Sequence, residues 1–404
     1  MLAVVTILAA ATATLVMALY ANRPFAQAPG LGLNAFFAFT VVGALGVPWQ
    51  TALAAVVVEG VLFIVLTAVG AREYVVGLFP KPVKFAVGTG IGLFLAIIGL
   101  QAMGIVVDDP ATLIALGSVA SNPVAILSVV GLFLTLGLYA RDVPGSIIIG
   151  IVLTTVAGWV LTRFGPISPE AGLVAGSAAV TYDITPLAGA FIDGLANVEA
   201  FTFALVVFTF FFVDFFDTAG TLVGVGQAGG FLDENGRFPD IDRPLMADAI
   251  GTTVGGALGT STVTTYIESA SGVEEGGRTG LTALTVAGLF VVSLVLVPLA
   301  AAIPLYASHI ALVVIGVVML RNVIDIEWND LTHSIPAGMT ILVMPFTYSI
   351  AYGIAAGIVS YPLVKLAAGE GRDVRAGHWA LAGAFVVYRR SRASASGLDP
   401  EGEA

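Results

Sequence analysis

The sequence predicts an all-α polytopic membrane protein of about thirteen spans, two of them interrupted by short extended segments near residues 28–36 and 259–268. Three observations carry that prediction. Of 404 residues, 58% are hydrophobic and 11% charged, whereas soluble domains run at about 25% charged. The mean hydropathy is +0.99, more apolar surface than one soluble core absorbs. Apolar stretches of membrane length also recur from end to end, separated by short polar connections.

The first apolar stretch, 1–22, lacks a basic leader and is too long for a secretory signal, so it reads as a true span. Further spans are expected at 30–46, 49–70, 83–103, 122–140 and 144–162. After a long connection come 200–226, 243–258, 259–275 and 279–303, and then 306–321, 333–349 and 350–367. The 48 glycines fit close packing of helices and breaks within them. Connection 164–199 contains PLAGAFIDGLANVEAF, expected to form a short amphipathic helix at the interface. Connection 227–243 carries the turn signals ENG and FPD. An apolar patch near His378–Tyr388 is too short to cross and is expected at the surface.

Basic residues set the expected orientation. Threading the spans with Met1 outside places Arg23, Arg72, Lys81, Lys84, Arg141, Arg237, Arg243, Arg278, Arg321 and the basic C-terminal stretch inside. Arg163 alone falls outside, where Asp108, Asp109, Glu170, Asp183, Asp193 and Glu199 collect. The expectation is a multi-pass plasma-membrane protein with its N-terminus outside and its C-terminus cytoplasmic.

Composition narrows the chemistry. With no cysteine, disulfide and thiolate chemistry are excluded, and three histidines leave no imidazole cluster for a metal. The net charge of −11 argues against nucleic-acid binding. Lysine is confined to Lys81, Lys84 and Lys365. Together with the acidic segments FLDENGRFPDID and GLDPEGEA, that scarcity fits a high-salt cytoplasm.

Function is expected where polarity enters the membrane. Asp214 and Asp217 lie in FTFALVVFTFFFVDFFDTAGTLVGV, three residues apart and so on one helix face. A carboxylate at the bilayer centre costs roughly 2.5–3.5 kcal/mol on insertion scales, so two in one turn exceed a structural need. Two membrane-deep segments are poor helices: APGLGLNAFF at 28–37 and GTSTVTTYIES at 259–269. Extended backbone survives at that depth only within protein or beside a wet cavity. Paired breaks of this kind point to a transporter binding site, each opening a half-helix with free N–H groups. One break ends in Asn34, the other in Glu268.

The candidate substrate site is therefore Asn34, Asp214, Asp217 and Glu268, joined by Phe36 and Thr265, with Phe37 and Phe215 as further aromatic faces. Acids and an amide would hold a neutral, planar, hydrogen-bonding ligand on which phenylalanines stack. Candidates for coupling to a cation gradient are Glu59, Asp214 and Glu268, because a carboxyl held away from water can exchange a proton near neutral pH. Plainer readings stand beside these. Asp214 and Asp217 could bridge helices, Glu268 could bond a broken helix end, and Asn34 could cap its half-helix while touching ligand. Glu59 fits a packing hydrogen bond as well as proton coupling, and Asp248 reads as structural. The glycines of GLGLN and GTGIGLF lack the strand–loop–helix setting of a nucleotide loop.

At these residues the chain resembles the AzgA-like purine permeases, a branch of the nucleobase:cation symporter-2 superfamily. The matching strings are APGLGLNAFFAFTVV, GIGLFLAIIGLQ, FFFVDFFDTAGTLVGV, ADAIGTTVGGALGTSTVTTYIESASGV and GGRTGLTA, in family order. The resemblance implies a UraA-like fold of fourteen spans in two inverted seven-span repeats. A core would comprise 1–70 and 200–303, a gate 71–163 and 304–368, with 164–199 an outer loop and 369–404 a cytoplasmic tail. Family members begin with a further span ending in an asparagine–proline pair, so this chain would start at the second family span. By the same resemblance, Asn34, Asp214 and Glu268 match positions important for transport, and Asp217 contributes to binding.

The function so implied is import of hypoxanthine, guanine or adenine by symport with H⁺ or Na⁺, with elevator-type alternating access, no cofactor and no enzymatic activity. The expected partners are a purine nucleobase and the bilayer, with a homodimer through the gate allowed. Alternatives are a uracil/xanthine or anion carrier on the same fold, which the site carboxylates disfavour for an anion, and a non-transporting truncated homologue. An intramembrane aspartyl protease is disfavoured, because the chain has no GxGD motif and Asp214 and Asp217 share one helix.

Overall fold

The computed structural model describes residues 1–70, 80–165, 167–175, 180–196, 198–232, 238–266, 268–383 and 386. Arg72, Arg237 and the tail GLDPEGEA lie outside the described residues.

Eight helices among the described residues are long and apolar enough to cross a membrane, and three shorter apolar ones accompany them. The chain opens with α1 (Leu2–Val16), whose last turn, Met17–Ala21, widens to i→i+5 bonding. Strand β1 (Gln27–Pro29) follows, then α2 (Leu31–Ala35), which continues in the wider form to Ala44. Next come α3 (Trp49–Ala68), α4 (Lys81–Ala102), the hairpin β2 (Val106–Asp109) and β3 (Leu113–Leu116), α5 (Pro123–Tyr139) and α6 (Ser146–Phe164). Within the connection expected to hold an amphipathic helix lies the short α7 (Phe191–Leu195), and Thr51 Oγ1 donates to its Gly194 carbonyl at 3.2 Å.

The second half holds α8 (Ala200–Ala228), α9 (Asp242–Leu258), β4 (Val263–Thr265), α10 (Ser269–Glu274) and α11 (Gly280–Ser293). It ends with α12 (Val297–Ala301), α13 (Leu305–Ser308), α14 (Ile310–Met319), α15 (Leu331–Phe346) and α16 (Ile350–Ala367). The expected spans 243–258 and 259–275 appear as the glycine- and threonine-rich α9 and as the broken segment β4–α10. Residues 376–383 near the chain end are helical, and the His378 ring meets Tyr361 edge-on at 5.2 Å.

The chain divides into two compact units. One comprises Met1–Val87, Asp183–Leu294 and Ile324–Ala404. Within it, small residues let helices approach closely. A Cβ on Gly60 of α3 would lie 2.7 Å from the Thr253 amide nitrogen of α9, and one on Gly251 would lie 2.6 Å from Ala13 Cβ of α1. Beneath them Met17, Phe25, Phe63, Phe211, Phe215 and Leu245 form an apolar cluster. The Phe63 ring meets Phe211 edge-on at 5.5 Å.

The other unit comprises Gly88–Tyr182 and Val295–Val323. Its core gathers Met103, Leu132, Ile310 and Val314, and Tyr306 OH donates to the Leu173 carbonyl at 3.0 Å. Its α6 presents Ile148, Trp159 and Phe164 outward, as a lipid-facing helix does.

The two breaks foreseen in the sequence meet. Strands β1 and β4 pair antiparallel, with Gln27 opposite Thr265, Ala28 opposite Thr264 and Pro29 opposite Val263. The ladder is closed at both ends, by Gly30 N donating to Thr262 O at 3.1 Å and Tyr266 N to Ala26 O at 3.0 Å. The first extended segment is shorter than the expected 28–36, since the Asn34 amide already bonds the Gly30 carbonyl at 2.8 Å and starts a helix.

Candidate functional site

The β1–β4 ribbon presents its side chains to α8, α9 and α3. At its middle, Asp248 of α9 accepts three bonds on Oδ1: from Thr218 Oγ1 at 2.9 Å, Gln27 Nε2 at 3.0 Å and Thr265 Oγ1 at 3.1 Å. Gln27 also reaches Thr265 Oγ1 at 3.1 Å, and the Thr218 and Thr264 hydroxyls are 2.6 Å apart. Gln27 is fixed from behind by α1, its amide donating to Thr14 Oγ1 at 2.9 Å and its carbonyl accepting from that hydroxyl at 3.0 Å. All six side chains are buried. The network ties α1, α8 and α9 to the ribbon, although one oxygen each of Gln27 and Asp248 is left without a protein donor.

Beside it lies a second acidic contact. Glu59 of α3 and Asp214 of α8 are fully buried, and their carboxyls lie close enough to interact electrostatically. Two ionised carboxylates placed together would repel, and only a proton shared between them could join them. Thr252 Oγ1 lies 3.5 Å from Asp214 Oδ2 while donating to the Val263 carbonyl at 2.7 Å, and Thr262 Oγ1 lies 3.5 Å from Glu59 Oε2. Gln27 Oε1, Glu59 Oε1, Asp214 Oδ1 and Asp248 Oδ2 are buried without a protein donor. Four buried acceptor oxygens without a donor carry a desolvation cost that a further hydrogen-bond donor or a cation would offset.

The other sequence candidates sit differently. Asp217, one turn beyond Asp214, is exposed, and so is Glu268; each lies within Coulombic reach of the other. Asn34 is half-buried at the first turn of α2, its amide oxygen accepting from Ser261 Oγ and its Nδ2 lying 3.5 Å from the Pro29 carbonyl. The tip of one broken span thus holds the tip of the other. Phe36 is buried edge-on against Phe210 at 4.9 Å, and Phe215 packs on Phe63 at 5.8 Å. The Thr265 hydroxyl faces Asp248.

Sequence reasoning missed Gln27, Thr218 and Ser261, and gave Asp248 only a supporting part. The available signal was the hydroxyl-rich run GTSTVTT, whose polar groups require partners at membrane depth. Elsewhere, Glu327, Asp330 and His333 converge within 4.8 Å. There, however, Lys81 Nζ bonds Glu327 at 3.1 Å, and Asp330 Oδ1 caps α15 through Thr332 N at 2.8 Å, so the cluster forms an ion-pair and capping network.

The sequence model of the family described as "Permease family" (Xan_ur_permease) matches residues 1–356. The chain belongs to this xanthine/uracil permease family. The permease is 40% identical over 373 residues to the adenine permease AdeP of Escherichia coli, covering 92% of this chain and 81% of that one. It is 39% identical over 383 residues to the guanine/hypoxanthine permease PbuG of Bacillus subtilis, covering 95% and 84%. Among solved structures, the transmembrane domain of the cyanobacterial bicarbonate transporter BicA superposes with a TM-score of 0.58 at 18% identity, covering 87% of this chain and 88% of that one. That likeness gives the fold. The permease is a multi-pass membrane transporter and not an enzyme.

Proposed function

We propose that the permease imports purine nucleobases (hypoxanthine, guanine or adenine) by cation symport, with elevator-type alternating access. The observation that carries the reading is the division of the acids. Asp217 and Glu268 are exposed beside the ribbon, whereas Glu59, Asp214 and Asp248 are buried behind it. Exposed carboxylates and the Asn34 amide suit the N–H edges and ring nitrogens of a neutral purine. The buried acids suit the coupling ion, with the Glu59–Asp214 pair holding a proton. The printed names of AdeP and PbuG support the purine class. A concentration of five carboxyls disfavours the anion carriers that share the fold, because an anionic substrate would be repelled.

The test is uptake of radiolabelled adenine and hypoxanthine in cells lacking purine permeases, with a proton uncoupler or with Na⁺ replaced. Uphill accumulation should collapse in one of those arms, and Glu268→Ala and Asp217→Ala should abolish uptake while leaving the protein in the membrane. Normal uptake by both variants would overturn the assignment.

A further inference from the structure

A cavity of about 250 Å³, apart from the acidic cluster, is lined by Asn22, Arg23, Asp240, Arg243, Arg278 and Thr279. We propose that it is a binding site for a phosphate-bearing anion, reached from the face where the basic residues are expected to meet the cytoplasm.

Three turns bring the arginines together. The chain leaves α1 through Asn22 in the left-handed region (φ 51°), enters α9 past Asp240 (φ 55°), and starts α11 at the capping residue Thr279. Arg23 is held in place: its Nη2 donates to the Pro239 carbonyl at 3.3 Å, and its guanidinium lies over the Phe231 and Phe238 rings at 5.4 and 5.0 Å. Arg278 is tethered through Nη1 to the carbonyls of Val273 and Gly277. Its other side-chain N–H groups have no hydrogen-bond partner among the described residues. Arg243 is exposed and has no ion-pair partner among the described residues.

Among the described lining residues three arginines thus meet one aspartate, Asp240, in a chain whose net charge is −11. Three like charges against a single carboxylate repel one another, and an entering anion would relieve that repulsion. The guanidinium fork matches phosphate oxygens two at a time, which a lysine would not. The α11 dipole favours the same sign of ligand. Its first amides are already engaged, Gly280 N with Asn22 Oδ1 at 2.9 Å and Leu281 N with Thr279 Oγ1 at 3.4 Å, so the arginines carry the binding. The shared ligand chemistry is a phosphate group, from inorganic phosphate, a nucleoside monophosphate or an anionic lipid headgroup. The site is independent of the transport reading.

The test uses the full-length permease purified in zwitterionic detergent. Thermal shift is followed against inorganic phosphate and against adenosine monophosphate, with chloride at matched ionic strength. A parallel arm measures retention of phosphatidylglycerol by native mass spectrometry. At least one phosphate carrier should bind saturably where chloride does not. Arg243→Gln and Arg278→Gln should each weaken that binding by about tenfold, as loss of a charge-assisted hydrogen bond does, with unchanged elution on size exclusion. Binding confined to the soluble arms identifies a metabolite, and binding confined to the lipid arm identifies a headgroup. Absence of saturable binding in all arms, or binding unchanged in the double variant, would overturn the proposal.

Discussion

Gln27 Nε2 donates to Asp248 Oδ1 at 3.0 Å, joining the first broken span to α9 across 221 residues of sequence. Asp248→Ala would leave three buried donors, from Gln27, Thr218 and Thr265, without their shared acceptor. Leaving a buried neutral donor without its acceptor costs about 1–3 kcal/mol. The variant should melt well below wild type in detergent, and equal melting temperatures would show that the network does not support the fold.

The coupling role proposed for Glu59 and Asp214 can be tested apart from substrate binding. Glu59→Gln can bond Asp214, because an amide donates to a carboxylate, but it no longer exchanges a proton. Substrate counterflow should persist while uphill accumulation is lost. Accumulation at the wild-type level would remove Glu59 from the coupling path.

Ser261 positions Asn34 by donating to its amide oxygen. Ser261→Ala frees the amide to rotate, and KM for uptake should rise by about tenfold, the size of one well-made hydrogen bond. Ser261→Thr, which retains the hydroxyl, should restore most of it. A KM unchanged by the alanine would show that Asn34 needs no such anchor.

Helix approach gives a stability contrast. Gly60→Val would drive a side chain into the Thr253 backbone, whereas a Cβ on Gly137 meets nothing within 4 Å. The first should lose about 1–3 kcal/mol, the usual range for overpacking, and Gly137→Ala should be neutral. Comparable melting of the two variants would contradict the close contact of α3 with α9.

At the loop after α14, the Lys81 hydrogen bond and charge hold Glu327 below the usual carboxylate range. A depressed carboxylate contributes stability above its unfolded pKa, and that contribution is lost as pH falls through the folded value. Both partners are more than half exposed, so the effect is small. Glu327→Gln should therefore lower the melting temperature slightly at pH 7 and not at all in strong acid. A larger deficit in acid than at neutrality would reverse the sign of the argument.

Much of the architecture was readable without coordinates, because lipid-facing helices leave long apolar runs that end at polar connections. The breaks at 28–36 and 259–268 were readable too, since proline, glycine and β-branched residues oppose helix at a depth where disorder is excluded. Their pairing into one ribbon was not, because short strands carry no mark of their partner. The hairpin β2–β3 is marked only weakly in the sequence, where VVDDPATLIAL places a DP turn signal between two short apolar stretches. Gln27 had no local pattern at all: its partners Thr14, Thr265 and Asp248 stand 13, 238 and 221 residues away. Asp248 looked supporting because it sits in a glycine-rich helix of low apolarity, where an acid is no anomaly.

That separation also bears on how the protein is made. Gln27 and Glu59 enter the bilayer with the first spans, yet the side chains that meet theirs, Asp248, Thr262 and Thr265, emerge only after some two hundred further residues have been synthesised. During that interval the early helices must keep polar groups in hydrocarbon without their final bonds. The ribbon is thus a late event in biogenesis, and a chain arrested before β4 would present an unfinished, sticky half to the insertion machinery and its quality control.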